Sequence, residues 1–339
     1  MSIGSKPKIG ILGAGSIAHL HARCWQRMPH AELVGYYDVI PEAAARFSQS
    51  YGGQAYSNLD AFLDAIDIVD ICTPGTIHKE NVLAAAAAGV PIICEKPLAR
   101  HLADCQEMID ACARVNVPLY VAHVVRFFPQ YAKAKELLDA GQLGRPGVIR
   151  TVRTGSFPGF NPKNTYYGDF TQSGGVILDV AIHDIDYQRW CFGEVERVFA
   201  RGLSFADIEK CDHALITLRF ANGAIGHIEG SWAHPAGQFR TRLELTGDQG
   251  LAEWDSLDRQ AMQVALKEDG QVDRHFASPT ASEDDPYYQE LAHFVDCIVN
   301  DATPRVTAHD ALMAVKIALA AIESVRTGQV VEIAKFAEG

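Results

Sequence analysis

The 339-residue sequence has no run of about 18 apolar residues, so no membrane-spanning helix is expected. It has no block of basic residues, and 30 Lys+Arg against 42 Asp+Glu leave a net charge of −12. That balance disfavours nucleic acid and anionic membrane as partners. There is no C-x-x-C pair, no internal repeat and no low-complexity tract. Eight cysteines, at 24, 72, 94, 105, 112, 191, 211 and 297, lie partly inside apolar stretches such as Ile71-Cys72 and Ile92-Ile93-Cys94. They read as buried free thiols in a reducing compartment. A core strand begins a few residues after Met1, so no signal peptide is expected and the cytoplasm is the expected location. What remains, 48% apolar and 21% charged residues, is ordinary for a globular chain long enough for two domains.

The most informative stretch is Lys8 to Asp38. Lys8–Leu12 reads as a buried strand, Ile17–Met28 as a helix that Pro29 helps to end, and Ala31–Tyr37 as a second strand ending at Asp38. Between the first strand and the helix stands Gly13-Ala14-Gly15-Ser16-Ile17-Ala18, a G-x-G-x-x-A pattern. Gly13 permits a tight turn, Gly15 lets backbone approach a pyrophosphate, and Ala18 keeps helix and strand close. The N–H groups at the start of the helix, from Ser16 and Ile17, are placed for phosphate oxygens. Asp38 is placed to accept hydrogen bonds from ribose hydroxyls. A carboxylate there repels a 2′-phosphate, which favours NAD over NADP.

Strands alternate with helices to about residue 122, which implies a doubly wound parallel sheet. Beyond it the rhythm changes. A helix over 129–140 and a strand over 148–154 precede a loop at 156–173 rich in Gly, Pro, Asn and aromatics; a helix follows over 175–190. Mostly strands then run from 195 to 276, with two closing helices near 286–300 and 307–327. The expected fold is therefore α/β: a Rossmann domain at 1–123, and an α+β domain at 124–339 with an open, mostly antiparallel sheet.

In an open α/β sheet ligands bind beyond the carboxyl ends of the strands, which singles out Asp38, Thr73-Pro74 and Glu95-Lys96-Pro97. Lys96 is either a surface lysine or a group that hydrogen-bonds a substrate hydroxyl and favours its alkoxide. Asp179 and His183, four apart in Gly174–Asp184, share one helical face. They are either a structural pair or a histidine whose basicity a carboxylate raises for proton transfer. No metal site is expected, since a third ligand at suitable spacing is missing.

Together these stations resemble the glucose–fructose oxidoreductase/inositol dehydrogenase/MocA family. The likeness lies in Gly13–Ala18, Thr73-Pro74 with His78, Glu95-Lys96-Pro97, Arg126-Phe127 with Pro129, Gly174–Asp184, Thr246–Gly250, and Tyr288–Leu291 with Phe294. The resemblance implies an NAD-dependent dehydrogenase acting on a secondary alcohol of a sugar, inositol or related polyol. It implies a catalytic constellation of Lys96, Asp179 and His183, in which His183 takes the hydroxyl proton, Lys96 polarises the oxygen and Asp179 orients or tunes His183. It adds Thr73, Pro74, His78, Glu95 and Lys96 to the cofactor-binding set, and implies a cis Lys96-Pro97 bond and a homodimer or homotetramer. Arg126, Tyr166, Tyr167, Asp169 and Tyr288 are candidate substrate contacts. A neutral polyol and an acidic sugar paired with Arg126 or Arg153 both stay open. So do two other activities on the same framework: a nicotinamide-sensing regulatory protein, and a glycosidase assisted by transient oxidation.

Overall fold

The computed structural model describes residues 6–158, 166–204, 212–235, 237–258, 262–268, 271–277 and 285–338. Two compact units emerge. One is Met1–Val124 with Asp284–Leu312, and the other is Val125–Glu283 with Met313–Gly339.

The first unit contains β1 (Lys8–Leu12), α1 (Ser16–Arg27), β2 (Glu32–Tyr37), α2 (Pro41–Tyr51), β3 (Gln54–Tyr56) and α3 (Leu59–Leu63). It continues with β4 (Ile68–Ile71), α4 (His78–Ala87), β5 (Ile92–Glu95), α5 (Leu102–Arg114) and β6 (Leu119–Ala122). The strands pair in parallel in the order β3-β2-β1-β4-β5-β6. Helices cover both faces of such a sheet, so its central strands are apolar throughout, and β4 and β5 are buried at every position. Chain order reverses at β1, which lies between β2 and β4. That is the switch point where the carboxyl ends of the strands leave a crevice. Strand β3 has no counterpart in the sequence reading, because three residues are too few to show a periodicity.

The second unit begins with α6 (Pro129–Asp139) and β7 (Pro146–Gly155). After these come α7 (Phe170–Ser173), α8 (Ile182–Phe192), β8 (Val195–Leu203), β9 (His213–Phe220) and β10 (Ile225–Ser231). The sheet is completed by β11 (Phe239–Gly247), β12 (Gly250–Asp255), β13 (Met262–Glu268) and β14 (Gln271–Ala277). Helices α9 (Pro286–Asn300) and α10 (Ala308–Thr327) lead to β15 (Val331–Glu332). Among the described residues the sheet order is β14-β13-β12-β11-β7-β10-β9-β8-β15. It is antiparallel except at β7 and β10. Strand β9 alternates, with Ala214, Ile216, Leu218 and Phe220 buried and Leu215 and Thr217 exposed, as a sheet with one covered face requires. Helix α8 lies against β7 and β10 through Gln188, whose Nε2 donates to Thr151 Oγ1 and to the His227 carbonyl, both at 2.9 Å. The approach is close enough that a Cβ on Gly226 would stand 2.2 Å from Gln188 Oε1.

A boundary after residue 123 separates the two sheets along the chain, but Asp284–Leu312 comes back to the first unit. Helix α9 packs on α1. Asp285 caps α9 by accepting the Tyr288 N–H at 3.0 Å, and it also meets Arg27 Nη1 at 3.0 Å. Phe294 stacks on Tyr120 with ring centroids 5.3 Å apart. An amphipathic pattern shows that a helix buries one face; it does not show which sheet receives that face. Among the described residues no helix is long and apolar enough to cross a membrane.

The second unit holds two buried ion pairs. Arg126 donates through Nε and Nη2 to both carboxylate oxygens of Asp186, at 2.8 and 2.5 Å, with each side chain 1% exposed. Arg153 Nε donates to Asp184 Oδ2 at 2.7 Å. Removing one member leaves a charge uncompensated in the interior. Asp186→Ala is therefore expected to lower stability by about 3–5 kcal/mol in urea denaturation. The double variant Arg126→Met/Asp186→Leu should recover most of that loss.

Candidate cofactor and catalytic sites

The two glycines of the fingerprint have different physical reasons. Gly13 sits at φ +101°, and a Cβ there would stand 2.9 Å from the Cys72 carbonyl carbon and from Thr73 Cγ2. The close passage of β1's end past β4's end demands glycine here. Gly15 caps α1 at φ −85°, a conformation open to any residue. A Cβ there would meet only the Cys72 carbonyl oxygen, at 4.0 Å. Nothing in the described protein requires glycine at 15, so the space suits a ligand that comes against the backbone. Gly15 and Ser16 are exposed and Ile17 is half-buried. The first turn of α1 carries no acidic residue, so its positive end is left for an anion.

Asp38 is held in place by backbone. Its Oδ2 accepts the Ala14 N–H and its Oδ1 the Ile40 N–H, both at 2.8 Å. The carboxylate thus joins the end of β2 to the glycine turn itself. Beside it Val39 and Ile40 are exposed, 76% and 57%, an apolar surface next to the acid at the end of β2. The cradle at Gly15, the uncapped helix end and the anchored Asp38 fit a dinucleotide.

The ends of β4 and β5 are stitched from below by His78, which is fully buried. One ring nitrogen lies 2.8 Å from the Thr73 carbonyl, and the other 2.9 Å from that of Pro97. Burial pushes its pKa below the ordinary histidine value. Asn81 Nδ2 donates to Thr73 Oγ1 at 3.0 Å. His78 therefore shapes the Thr73-Pro74 and Lys96-Pro97 corners from inside the fold. The Lys96-Pro97 bond is cis, as the resemblance implied. Lys96 is half-buried, and Glu95 is 6% exposed.

In the second unit the segment read as one α-helix from Gly175 is interrupted. Gly174 and Gly175 both have φ near +70°, and Ile177–Ala181 forms one π-helical turn before α8 begins. Such turns recur at functional sites, and no sequence period announces them. From Ser173 to Arg189 every residue is buried except Asp179, Val180 and His183, which are half-buried. The acid and the histidine are thus the polar positions that keep an accessible side in a sealed stretch. Arg126 and Arg153 are the buried partners of Asp186 and Asp184. Asp169 caps α7, and the hydrogen bonds it accepts from Thr171 Oγ1, Gln172 Nε2 and Thr171 N lower its pKa. Tyr166 and Tyr167 pack edge to face, and Tyr167 also meets Trp232. Tyr288, on α9, belongs to the first unit, where the Arg27 guanidinium lies 5.4 Å from its ring centre.

Sequence reasoning passed over a buried polar row beside the cofactor-binding turn, made by His21, Trp25, Asp70 and Glu95. Asp70 Oδ2 accepts Trp25 Nε1–H at 2.7 Å and lies 2.9 Å from His21 Nδ1. A signal existed: an acid inside the apolar strand Ile68–Ile71 must find donors in the interior.

Residues 7–123 match the family described as an oxidoreductase family with an NAD-binding Rossmann fold. Residues 131–253 match the GFO/IDH/MocA C-terminal domain. The chain is 32% identical over 335 residues to the uncharacterized oxidoreductase YrbE of Bacillus subtilis, covering 96% of each. It is 30% identical over 335 residues to myo-inositol 2-dehydrogenase of Thermotoga maritima, covering 96% of this chain and 98% of that one. An Agrobacterium radiobacter oxidoreductase, solved in complex with NAD+, L-tartaric acid and magnesium, superposes with a TM-score of 0.86 at 25% identity, over 97% of this chain and 99% of that one.

The two glycines should separate experimentally. Gly13→Ala is expected to lower stability by about 1–3 kcal/mol, since an L side chain is strained at this φ and crowded by β4. Gly15→Thr keeps an acceptable helix cap, so stability should stay within about 0.5 kcal/mol. It should nonetheless weaken NAD binding by at least about tenfold in a fluorescence titration.

Proposed function

We infer that this chain, which belongs to the Gfo/Idh/MocA family of NAD-dependent oxidoreductases, moves a hydride between a secondary alcohol of a neutral sugar, inositol or related polyol and the nicotinamide of NAD. The observation that carries the reading is the half-buried pair Asp179 and His183, which with Val180 are the residues from Ser173 to Arg189 that are not buried. A stretch that seals its other polar residues and leaves a histidine and a carboxylate partly accessible has the groups for proton transfer near neutral pH.

NAD, when bound, supplies the hydride acceptor. His183 takes the hydroxyl proton as the C–H bond breaks. Lys96 hydrogen-bonds the same oxygen and favours its alkoxide character, and Asp179 orients or tunes His183. Run in reverse, His183 returns the proton to the carbonyl oxygen. Asp38 favours NAD because its carboxylate is fixed where a 2′-phosphate would bring negative charge.

The preference for a neutral substrate comes from the arginines. A sugar acid calls for a bidentate guanidinium. Arg126 gives its bidentate face to Asp186, and Arg153 is paired with Asp184 inside the second unit. The T. maritima relative, named for myo-inositol, is in keeping with an uncharged polyol. The reading includes Tyr166, Tyr167, Asp169 and Tyr288 as substrate contacts and a homodimer or homotetramer working in the cytoplasm. Exposed Leu215, on the face of β9 opposite the core, is in keeping with an oligomer, and the buried free thiols with a reducing compartment.

NADH formation measured across a panel of inositols, aldoses and sugar acids tests the reading. Turnover is expected with a neutral polyol, and selective turnover of the acids would overturn the substrate class. His183→Asn and Lys96→Ala should each lower kcat by about 10²- to 10⁴-fold while leaving thermal stability near that of the parent, and His183→Asn should also leave NAD affinity near its parent value. If both variants keep full turnover, the assigned roles fail.

A further inference from the structure

Inside the first unit a row of side chains connects the fingerprint helix to the strand end that carries Lys96. Asp70, in β4, and His21, in α1, are both fully buried. His21 Nδ1 lies 2.9 and 3.1 Å from the two Asp70 oxygens, and Trp25 Nε1 donates to Asp70 Oδ2 at 2.7 Å. The other ring nitrogen, Nε2, lies 3.2 Å from Glu95 Oε1. Glu95 Oε2 in turn accepts the backbone N–H of Lys96 at 3.0 Å. The row therefore runs from Trp25 through Asp70, His21 and Glu95 to the Lys96 amide.

A neutral imidazole has one N–H, yet a carboxylate faces each nitrogen of this ring. An imidazolium carries the positive charge that both carboxylates call for: Nδ1 is hydrogen-bonded to Asp70, and Nε2 makes an ion contact with Glu95 at 3.2 Å rather than a hydrogen bond. Without it, two carboxylates on neighbouring strand ends would face each other in the interior, and one would take up a proton. We propose that His21 is a positioning residue for Lys96: an imidazolium clamped between Asp70 and Glu95, it fixes the Glu95 carboxylate where that group accepts the Lys96 N–H. The inference rests on the reading of Lys96 as the group that polarises the substrate oxygen.

The surroundings of the ring agree. Besides Asp70 and Glu95, the titratable groups facing it are Cys72 beyond β4, Cys24 on α1 and Tyr287 on α9, whose ring centre is 6.2 Å away. Burial pushes the Cys24 thiol up to about 12 and raises Cys72 and Tyr287, so all three are neutral near pH 7. Burial by itself lowers the His21 pKa. The charge and hydrogen bond of Asp70 outweigh it and hold the ring well above the ordinary histidine value. The stabilisation this gives is complete below about pH 6.5 and is lost only as pH rises through the folded-state value. The ring thus stays charged across the neutral range in which His183 works.

Two measurements on the intact protein test this. In ¹⁵N NMR of the parent enzyme, one of the 13 histidines, assigned by its loss in His21→Gln, should show both ring nitrogens protonated from about pH 6 to about pH 8, where an unperturbed histidine titrates near 6.5. In His21→Gln the clamp loses its cation and Glu95 takes up a proton in the neutral range. Turnover should then fall by about 10²-fold, and kcat should gain an ionisation, rising with pH as Glu95 ionises. The KM for NAD should move by less than about threefold, since the Gly15 cradle and Asp38 are untouched. Glu95→Gln keeps an acceptor for the Lys96 N–H but carries no titrating group, and should lower turnover without the added ionisation.

A neutral His21 resonance at pH 7 would overturn the proposal. An unaltered pH profile in His21→Gln would do the same, because it reduces the cluster to packing. One tightly held metal ion per chain by elemental analysis would also overturn it, since the ligand-type atoms of His21, Asp70 and Cys72 lie within 4.8 Å of one another. Full turnover by Lys96→Ala instead defeats the underlying reading of Lys96, whatever the state of the His21 ring.

Discussion

A charge taken out of water has to meet its opposite, and in each unit of this chain that requirement decides which polar residues remain for chemistry. In the second unit it uses Arg126 with Asp186 and Arg153 with Asp184, while Arg189, also buried in α8, pairs with Glu194. In the first it uses His21, Asp70 and Glu95. With those side chains committed, Asp179, His183 and Lys96 are left half-buried. A half-buried group keeps contact with a ligand while its basicity still responds to its neighbours.

The cofactor cradle depends on a different constraint, the close passage of one strand end past another. Gly13 has no room for a side chain because β1 and β4 run side by side in parallel and their exits touch. That passage brings Gly15 and the start of α1 to the mouth of the crevice. The Tyr37 carbonyl accepts the Gly13 N–H at 2.8 Å, and Asp38 accepts the Ala14 N–H, so the turn is tied to the end of β2 as well. Three strand ends therefore determine the shape of the glycine turn, and Asp38 is bonded to that turn.

Much of this was legible in the residues. Strands β1, β2, β4, β5 and β6 were readable because a parallel sheet covered on both faces needs unbroken apolar runs, and their flanking Gly and Pro residues mark the exits. The fingerprint and Asp38 were readable because each residue has a local task. The strand β3, the π-helical turn at Ile177–Ala181 and the return of α9 to the first unit were not. The first is too short for a period, the second is a local widening of a helix, and the third depends on which surface is available to an apolar face.

By itself the sequence determined the cofactor, the two kinds of sheet and the set of residues able to do proton chemistry, since these follow from side-chain type and near-neighbour spacing. Tertiary structure decided which members of that set are sealed in the interior and which stay half-buried. Arg126 and Asp186 are 60 positions apart and His21 and Asp70 are 49 apart, so no local pattern shows that they meet. Only the folded chain reveals that Arg126 is a buried counter-ion, that His78 braces two strand ends, and that a histidine in the fingerprint helix stands between two carboxylates. The physical reason is that the cost of burying a charge is settled by its partner in space, and the partner comes from another element of the fold.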